Sequence, residues 1–481
     1  MDNRESFKSR LGFLLVSAGC AIGIGNVWKF PWLVGQYGGG IFVLIYLIFL
    51  VIMGIPVLTM EISIGRASRQ STVNGFRALE KKGQKWHLEG YFSIAGCYLL
   101  LMYYHSVTGW MINYGWKFIT GQFTEGTDVA ATFSSMLSST PQSLIFMLIA
   151  VAIGIIVCAK GLQNGVEKVS KFMMLGLLAL IVILVIHSFT LSGAGEGLYF
   201  YLVPSMDAIR EHGLGNIIVA AMNQAFFTLS LGICAMEIFG TYMSKDHTLL
   251  SEGARICVLD TFVAFCSGLI IFPACFSYGI EPGNGPSLIF MTLPQVFMNM
   301  KGGRIWGTLF FIFMSFAALS TVLAVMENII ASFMDTFGWS RKKSIIVNAI
   351  GLTVLSLPVA FEYNLFSGVA AAMTNLWGKG LLDSEDFLVS NLLLPIGSLV
   401  MCLFCTWKSG WGYDNFIEEA NTGVGLKYSS EEMVVKYVVT DLEGNTINYC
   451  KKHNRLKKVL RFYLSYILPL IIIAIIIVGL V

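Results

Sequence analysis

The sequence predicts an all-α polytopic membrane protein, from its composition and from its long uncharged runs. Hydrophobic residues make up 56% of the 481 residues and charged residues only 13%, with a mean hydropathy of +0.71. Soluble chains carry about 25% charged residues, which excludes an ordinary soluble enzyme. Residues 41–58 and 463–481 contain no charge, and about 20 apolar residues span a bilayer. Solid apolar blocks argue against a membrane barrel, whose strands alternate.

Apolar blocks between charged or Gly-, Pro- and Asn-rich breaks predict eleven membrane-spanning helices. They lie near residues 11–36, 41–65, 90–118, 142–159, 166–190, 215–242, 255–279, 304–336, 344–360, 386–406 and 459–481. We expect no cleaved signal peptide, because glycines interrupt the first block. The segment 407–457 is the only sizeable polar insertion, and residues 434–449 within it predict a small β-hairpin. We favour a connecting role for it over a regulatory one.

The distribution of Lys and Arg predicts the orientation, because cytoplasmic loops carry the excess of positive charge. With the N-terminus in the cytoplasm, the opposite face carries only Lys117, Arg210, Lys301, Arg304 and Lys379. We therefore expect a multi-pass protein of the plasma (inner) membrane, with a cytoplasmic N-terminus and, after eleven spans, an outer C-terminus. The formal net charge of +3 is too small to indicate a nucleic-acid partner.

Two of the predicted helices carry interruptions. The first contains Gly19, Gly23, Gly25 and Asn26 in mid-membrane, and each glycine lowers helix stability by roughly 1 kcal/mol relative to Ala. The sixth has a comparable position around Gly232. Such breaks persist in lipid only where the freed carbonyls and amides find partners inside the protein.

The positions of these breaks predict a binding site. The first and sixth helices begin two consecutive five-helix sets, and an odd number of spans inverts the second set relative to the first. Interrupted helices at corresponding positions of inverted halves indicate a midplane site for substrate and ions in a secondary transporter. The predicted units are 1–190, the first repeat; 215–406, the inverted second repeat; 407–457, a cytoplasmic loop; and 459–481, the eleventh helix.

The segment 18–31, which reads AGxAxGxGNxWKFP, resembles the neurotransmitter:sodium symporter family, whose members share the LeuT-type fold. Further matching motifs are Gly38-Gly39-Gly40, Glu61 with Gly65-Arg66, Tyr103-Tyr104, Gly109-Trp110, Gly165-Val166-Glu167-Lys168, Glu196-Gly197-Leu198, Phe226-Phe227-Thr228-Leu229-Ser230 and Leu382-Asp383. The resemblance covers nearly all of residues 4–406. It implies two inverted five-helix repeats with helices 1 and 6 interrupted, plus an eleventh helix as in bacterial members. It also implies sodium-coupled amino-acid or amine transport by alternating access.

The resemblance implies two sodium sites built from oxygen ligands. The first site would use the Ala21 carbonyl with Asn26, Thr228 and Asp260. The second would use the carbonyls of Gly19, Ile22 and Ala317 with the hydroxyls of Ser320 and Thr321. Without the break opposite them, these two hydroxyls would be read as ordinary helix-packing groups.

Asp260 departs from the family pattern, since many members have Asn there and chloride-dependent members have Ser where this chain has Ala264. A carboxylate in mid-membrane costs at least ~2.5 kcal/mol unless it is compensated. Beside sodium it supplies the negative charge that chloride otherwise provides. We therefore expect a chloride-independent protein, even though Tyr46 and Gln224 match chloride-site positions. The alternative is that Asp260 pairs with another buried group.

The predicted substrate is a neutral hydrophobic or aromatic amino acid, of the tryptophan, tyrosine or leucine type. Monoamine transporters of the family have Asp where this chain has Cys20, so the substrate should bring its own carboxylate. The implied substrate-binding residues are Cys20, Ala21, Gly25, Leu100, Tyr104, Phe227, Thr228, Ser230, Ile233, Ser320, Val322 and Val325. On periodicity alone, Leu100, Ile233 and Val325 would be ordinary core residues.

Alternating access requires a closure on each side of the membrane. Lys29 and Asp386 match the family's outer ion pair, above a lid formed by Tyr104 and Phe227. The inner pair would be Arg4 and Asp335, with Tyr242 nearby and Phe7 as a plug.

Two alternative functions remain open at this point. One is a sodium-independent or proton-linked carrier of an apolar aromatic compound such as indole, using the embedded Glu237. The other is a membrane sensor that binds a substrate without transporting it. A membrane enzyme is not expected, because the chain has no HExxH, no GxSxG with partner residues and no nucleotide-binding loop.

Overall fold

Helices occupy all eleven predicted positions, nine as single long helices and two, the first and the sixth, as divided ones. The computed structural model describes residues 6–124, 126–279, 288–428, 433–440, 446–453 and 455–480. In chain order, helices 1 to 5 comprise Arg10–Ala21 with Gly25–Gln36, Gly40–Ser68, Leu88–Ile119, Thr140–Ala159 and Leu162–Ser188. Helices 6 to 11 comprise Leu214–Thr228 with Ala235–Thr241, Leu249–Ser277, Gly303–Phe337, Arg341–Ala360, Leu381–Thr406 and Lys457–Gly479. The halves of the two divided helices are called 1a, 1b, 6a and 6b.

Nine of the eleven predicted spans are long and apolar enough to cross a membrane by themselves. Within the described residues, eight single helices meet this requirement, and helices 1a and 1b, bent by 55°, form a ninth span. Helix 3 is long enough but too polar in its middle, where Tyr103, Tyr104 and His105 are all buried. Helix 6 is divided into two short halves. The positions of helices 3 and 6 in the membrane therefore depend on contacts with the other helices of the bundle rather than on contacts with lipid.

Shorter elements connect or interrupt the spans. Short helices are Thr72–Leu79, Val129–Ser138, Ala194–Leu202, Met206–His212, Leu293–Asn299, Ser367–Trp377 and Tyr413–Asn421. Single π-helical turns are Gly25–Lys29, Leu50–Gly54, Leu162–Glu167, Leu288–Thr292, Leu388–Leu393 and Tyr463–Ile467. The predicted hairpin forms from the antiparallel strands Met433–Thr440 and Thr446–His453, with Met433 paired to His453. Residues 441–445, its predicted turn, lie outside the described residues.

Helix 8 occupies the centre of the bundle. Of its most apolar stretch, 78% is buried inside the protein, against 33% in helices 5 and 11. It packs against helices 1a, 3, 5 and 9. Helices 5 and 11 therefore present most of their apolar surface to lipid, whereas the broken helices are surrounded by protein.

The break in helix 1 is satisfied by neighbouring side chains. Helix 1a ends at Ala21 because Ile22 is extended, with a ψ of 98°. The amide of Gly23 then donates to the Asn26 side chain at 3.0 Å, and the amide of Ile24 donates to the Tyr104 hydroxyl at 2.8 Å. The Ser320 hydroxyl donates to the Ile22 carbonyl at 3.2 Å. Each of these bonds replaces one that a continuous helix would have made.

The break in helix 6 depends on a carboxylate from helix 2. Ser230, Gly232 and Cys234 adopt left-handed backbone conformations, with φ angles of 51°, 96° and 54°. The Glu61 side chain accepts hydrogen bonds from the amides of Gly232 at 3.0 Å and Met236 at 2.9 Å. A carboxylate at the start of helix 6b also interacts favourably with the helix dipole. Glu61 therefore holds the two sides of the break in place.

We expect Glu61→Gln to destabilise the fold, because the amide replaces a carboxylate that accepts two buried hydrogen bonds. Charge-assisted bonds of this kind contribute about 1–3 kcal/mol. Unfolding of the detergent-purified protein can be followed with a thiol-reactive fluorophore, since nine cysteines within the described residues are buried. The thermal midpoint should fall by several degrees. Glu196→Gln, at an exposed position, is the matched control, and equal midpoints for the two variants would contradict this role of Glu61.

Candidate functional site

A small cavity lies between the two breaks. Its volume is about 20 Å³, enough for roughly one water molecule. It is lined by Ala21, Gly23, Gly25, Leu100, Tyr104, Phe227, Ser230, Ile233, Thr321, Val389 and Leu394. No residue in this lining carries a charge. Neighbouring side chains must move before an organic molecule can enter, and we call this space the central cavity.

Hydroxyl groups at the edge of the central cavity bind the interrupted backbone of helix 1. The Ser230 and Thr321 hydroxyls both donate to the Cys20 carbonyl, at 3.3 and 3.4 Å. The Tyr104 hydroxyl accepts from the Ile24 amide and therefore keeps its own proton available for donation. The first amides of helix 1b lie beside it, and the start of a helix favours a negatively charged group. This side of the cavity is suited to a carboxylate.

Asn26, Thr228 and Asp260 form one buried polar cluster. The Asn26 amide nitrogen lies 2.7 Å from an Asp260 carboxylate oxygen and 3.0 Å from the Thr228 hydroxyl. The Thr228 hydroxyl donates to the other carboxylate oxygen at 3.0 Å. All three residues are at most 1% exposed. Oxygen donors that include one carboxylate suit a hard cation such as sodium.

The residues predicted for a second cation position also come together. Ser320 bonds the Ile22 carbonyl at 3.2 Å and the Ala317 carbonyl at 2.8 Å. Thr321, next in helix 8, bonds the neighbouring Cys20 carbonyl. Gly19 packs directly on the same part of helix 8, where a Cβ atom would lie 3.2 Å from the Ser320 Cβ. This group offers carbonyl and hydroxyl oxygens without a formal charge.

Two aromatic side chains separate the central cavity from a larger one of about 200 Å³ on the predicted outer side. Tyr104 and Phe227, together with Gly25, line both spaces. Above them, the Lys29 ammonium lies 3.3 Å from the Asp386 carboxylate and 4.0 Å from the centre of the Phe227 ring. The predicted outer ion pair is therefore present, and it sits directly on the lid.

Aromatic contacts close the opposite end. The Phe7 ring packs against those of Phe13, Phe239 and Tyr242, with centroids 5.7, 6.3 and 5.9 Å away. The Asp335 carboxylate accepts a hydrogen bond from the Ser71 amide at 2.8 Å. Arg4, the predicted partner of Asp335, lies outside the described residues, so the inner ion pair stays a prediction.

A further ion pair, whose carboxylate is fully buried, lies beside Tyr242. The carboxylate of Glu327 is 2.5 Å from the guanidinium of Arg341, and the Tyr242 hydroxyl is 3.5 Å from the same carboxylate. Arg341 also donates to the Cys158 carbonyl. Burial with a full complement of partners explains how helix 8 carries an acidic residue within the membrane.

Comparison with known proteins gives these contacts a family context. The model of the Sodium:neurotransmitter symporter family matches residues 4–132 and 127–430. The chain belongs to this family. Its members are transporters rather than enzymes, and the chain is a sodium-dependent symporter and a multi-pass membrane protein, as the resemblance implied.

Relatives in bacteria, archaea and animals agree with this assignment. An uncharacterized sodium-dependent transporter of Bacillus subtilis is 35% identical over 402 residues, which cover 83% of this chain and 87% of the relative. An uncharacterized sodium-dependent transporter of Methanocaldococcus jannaschii is 30% identical, over 88% of this chain and 87% of the relative. The rat sodium- and chloride-dependent taurine transporter is 28% identical, over 77% of this chain and 68% of the relative.

A solved structure matches the whole chain. The crystal structure of MhsT in complex with L-phenylalanine superposes with a TM-score of 0.83 at 32% identity, covering 99% of this chain and 100% of that one. The predicted LeuT-type fold, with helices 1 and 6 interrupted, is thereby confirmed. The exact bounds of the two repeats remain a prediction.

The central cavity includes only part of the predicted substrate-binding set. Seven of its predicted residues line the cavity, namely Ala21, Gly25, Leu100, Tyr104, Phe227, Ser230 and Ile233. Five do not, namely Cys20, Thr228, Ser320, Val322 and Val325. Val322 is directed toward helix 4, where its Cγ1 atom lies 3.4 Å from the Cβ position of Gly154. The hydroxyls of Thr228 and Ser320 are engaged in the two oxygen clusters.

Of the other four lining residues, Thr321 was predicted for the second sodium site, and Gly23, Val389 and Leu394 were predicted for no site. Gly23 belongs to the break in helix 1, where a Cβ atom would overlap the Tyr104 hydroxyl, so that only glycine fits. Val389 and Leu394 belong to helix 10, which the sequence connects only with the outer ion pair. No sequence signal distinguishes these two residues from the apolar residues around them.

We expect Lys29→Met to open the outer side of this symporter, because Asp386 loses its ion-pair partner and Phe227 loses the cation above its ring. The measurement is the rate at which an impermeant thiol reagent modifies a cysteine placed at Val107, in the wall of the outer cavity. The rate should rise severalfold in Lys29→Met. Lys301→Met, at an exposed position, is the control, and identical rates would show that the ion pair does not limit access.

Proposed function

We propose that this symporter imports a neutral hydrophobic or aromatic amino acid with sodium, by alternating access and without chloride. The observation that carries the proposal is the placement of an uncharged cavity directly beside the Asp260 cluster. The same backbone segment, Cys20 to Asn26, borders both. Binding of a cation to the cluster and of an amino acid to the cavity would therefore order the same interrupted helix.

The chemistry of the central cavity supports an amino-acid substrate. A carboxylate would meet the Tyr104 hydroxyl and the amides near Gly25, and an ammonium group would meet carbonyls freed by the break in helix 6, around Phe227 and Ser230. The remaining lining offers apolar contact to the side chain, through Leu100 and Ile233. A charged side chain would have no partner there, at a considerable cost. The solved relative bound to L-phenylalanine supports the same substrate class.

Two sodium ions fit the two oxygen clusters. In the first, Asp260 and Thr228 supply side-chain oxygens, Asn26 can supply one after rotation of its amide, and the Ala21 carbonyl lies at the end of helix 1a. In the second, Ser320 and Thr321 face the carbonyls of helix 1. Sodium would replace the hydrogen bonds that these groups now make with one another.

The presence of a carboxylate at Asp260 supports chloride independence. Ala264, one helical turn further along helix 7, is fully buried and offers no hydroxyl to an anion. Gln224, at a chloride-site position, instead donates to the Gly25 carbonyl at 3.2 Å. The carboxylate would provide the negative charge beside sodium that the chloride-dependent relatives obtain from an anion.

The contacts at the two ends of the path indicate how access would alternate. Opening to the outside requires the Lys29–Asp386 pair to separate and the Phe227 ring to swing away from Tyr104. Opening to the inside requires Phe7 to leave the rings of Phe239 and Tyr242. With the N-terminus in the cytoplasm, as Lys and Arg predict, the first opening faces the outside, and an inward-directed sodium gradient would drive uptake.

The test is uptake of tritiated tryptophan, tyrosine and leucine into proteoliposomes, with sodium or potassium outside and with chloride replaced by gluconate. We expect accumulation that depends on sodium and is indifferent to chloride. Binding without accumulation would instead support a sensor. Failure of all three amino acids with folded protein would contradict the substrate class, and indole would then be measured.

We expect Asp260→Asn to lower apparent sodium affinity by at least tenfold in gluconate, because the first cluster loses its only formal charge. Chloride should have no effect on the wild type and should not restore this variant, because Ala264 offers no hydroxyl to an anion. The readout is the sodium concentration that gives half-maximal uptake, measured with and without chloride. An unchanged sodium dependence in both anions would overturn the role assigned to Asp260.

A further inference from the structure

Helix 10 contributes a wall to the central cavity by means of a π-helical turn. The turn spans Leu388–Leu393, and the amide of Leu394 donates to the carbonyl of Val389, five residues earlier. In a regular α-helix, residues five apart point about 140° away from each other, since each residue advances by about 100°. The wider π-turn reduces this angle, and Val389 and Leu394 both line the cavity. Such turns occur frequently at functional sites.

The turn has distinct inner and outer faces. Val389 is completely buried and Leu394 is 2% exposed, whereas Leu388 is 36% exposed. Leu388 does not belong to the lining of the central cavity. Neighbouring residues of one turn therefore provide a cavity-lining position and a matched position outside it.

Three sets of contacts fix this wall, and the first lies at the outer closure. Ser390, next to Val389, bonds both members of the outer ion pair, accepting from Lys29 at 3.1 Å and donating to Asp386 at 2.9 Å. Tyr103 donates to the same Asp386 carboxylate at 3.1 Å. Hydrogen bonds therefore connect this part of helix 10 to the outer ion pair of Lys29 and Asp386.

The other end of the wall is fixed against the break in helix 6. A Cβ atom at Gly232 would overlap the Leu394 carbonyl oxygen, and one at Gly397 would overlap the Gly232 carbonyl oxygen. The backbone of helix 10 therefore packs directly on the backbone of the break in helix 6 at this point. At its beginning, Glu362 accepts hydrogen bonds from the amides of Leu381 and Leu382 at 2.9 and 3.0 Å.

We infer that Val389 determines specificity by setting the largest side chain that the central cavity admits. The inference rests on the proposed function, since it assumes an amino acid in this cavity. While the outer ion pair is closed, a wall held at that pair and at the break in helix 6 resists displacement by a larger substrate. The side chain at 389 therefore defines the space, whereas Leu394 is committed to its backbone contact with Gly232.

The test is competition binding by wild type, Val389→Ala, Val389→Ile and the control Leu388→Ala. Purified protein binds tritiated leucine in saturating sodium, and unlabelled alanine, leucine, phenylalanine and tryptophan compete. A methylene group in an apolar pocket changes discrimination by about tenfold or more. Val389→Ala should shift the tryptophan-to-leucine affinity ratio about tenfold toward tryptophan, and Val389→Ile should shift it toward the smaller substrates. Leu388→Ala should leave the ratio unchanged.

The outcomes separate this inference from the proposed function. If both Val389 variants change all four affinities by one common factor, Val389 is not a size-selecting wall and the inference is overturned. If Leu388→Ala shifts the ratio as much as Val389→Ala, the effect belongs to the π-turn as a whole, which also overturns it. Folded wild type that binds none of the four amino acids overturns the proposed substrate class, and this inference with it. Elution as a single species on size exclusion establishes folding of each variant, and the two variants of opposite size provide independent tests.

Discussion

Peptide groups freed at the breaks in helices 1 and 6 need hydrogen-bond partners inside the protein, because the hydrocarbon around the bundle offers none. The side chains of Tyr104, Asn26 and Ser320 form hydrogen bonds with the freed peptide groups of helix 1, and Glu61 does so in helix 6. Three of these partners come from helices 2, 3 and 8, so the bundle must assemble around the breaks. Helix 8 is consequently the most deeply buried of the long apolar spans, and helix 3 can be too polar to cross lipid alone.

The same partners account for the chemistry of the site. The carbonyls of helix 1 that accept hydrogen bonds from Ser320 and Thr321 could instead ligate a cation. The Ile24 amide, which donates to the Tyr104 hydroxyl, lies where a carboxylate would bind. Asp260 brings a carboxylate to the first oxygen cluster, where Asn26 and Thr228 surround it. Its burial is tolerable because both carboxylate oxygens are already hydrogen-bonded, and a cation would complete that compensation.

Much of this arrangement could be predicted from the sequence, for identifiable physical reasons. Long apolar blocks predict the helices, and glycines in mid-membrane predict the break in helix 1. The family resemblance assigns Asn26, Thr228 and Asp260 to one site. The direction of a side chain within a helix is harder to predict from sequence than the helix itself. Val322, predicted to bind the substrate, is instead directed toward helix 4. The π-turn in helix 10 was also beyond prediction, because its residues are ordinary apolar residues and only the hydrogen bond from Leu394 to Val389 reveals it.

The central claim is that one interrupted segment couples sodium to the amino acid. Thermodynamic linkage then requires each ligand to raise the affinity of the other by the same factor. The most direct measurement is equilibrium binding of radioactive sodium and of tritiated leucine to purified protein in chloride-free buffer, each titrated with and without the other. The account predicts equal enhancement factors of about tenfold or more in the two titrations. Amino-acid binding that is the same in sodium and in potassium would contradict it.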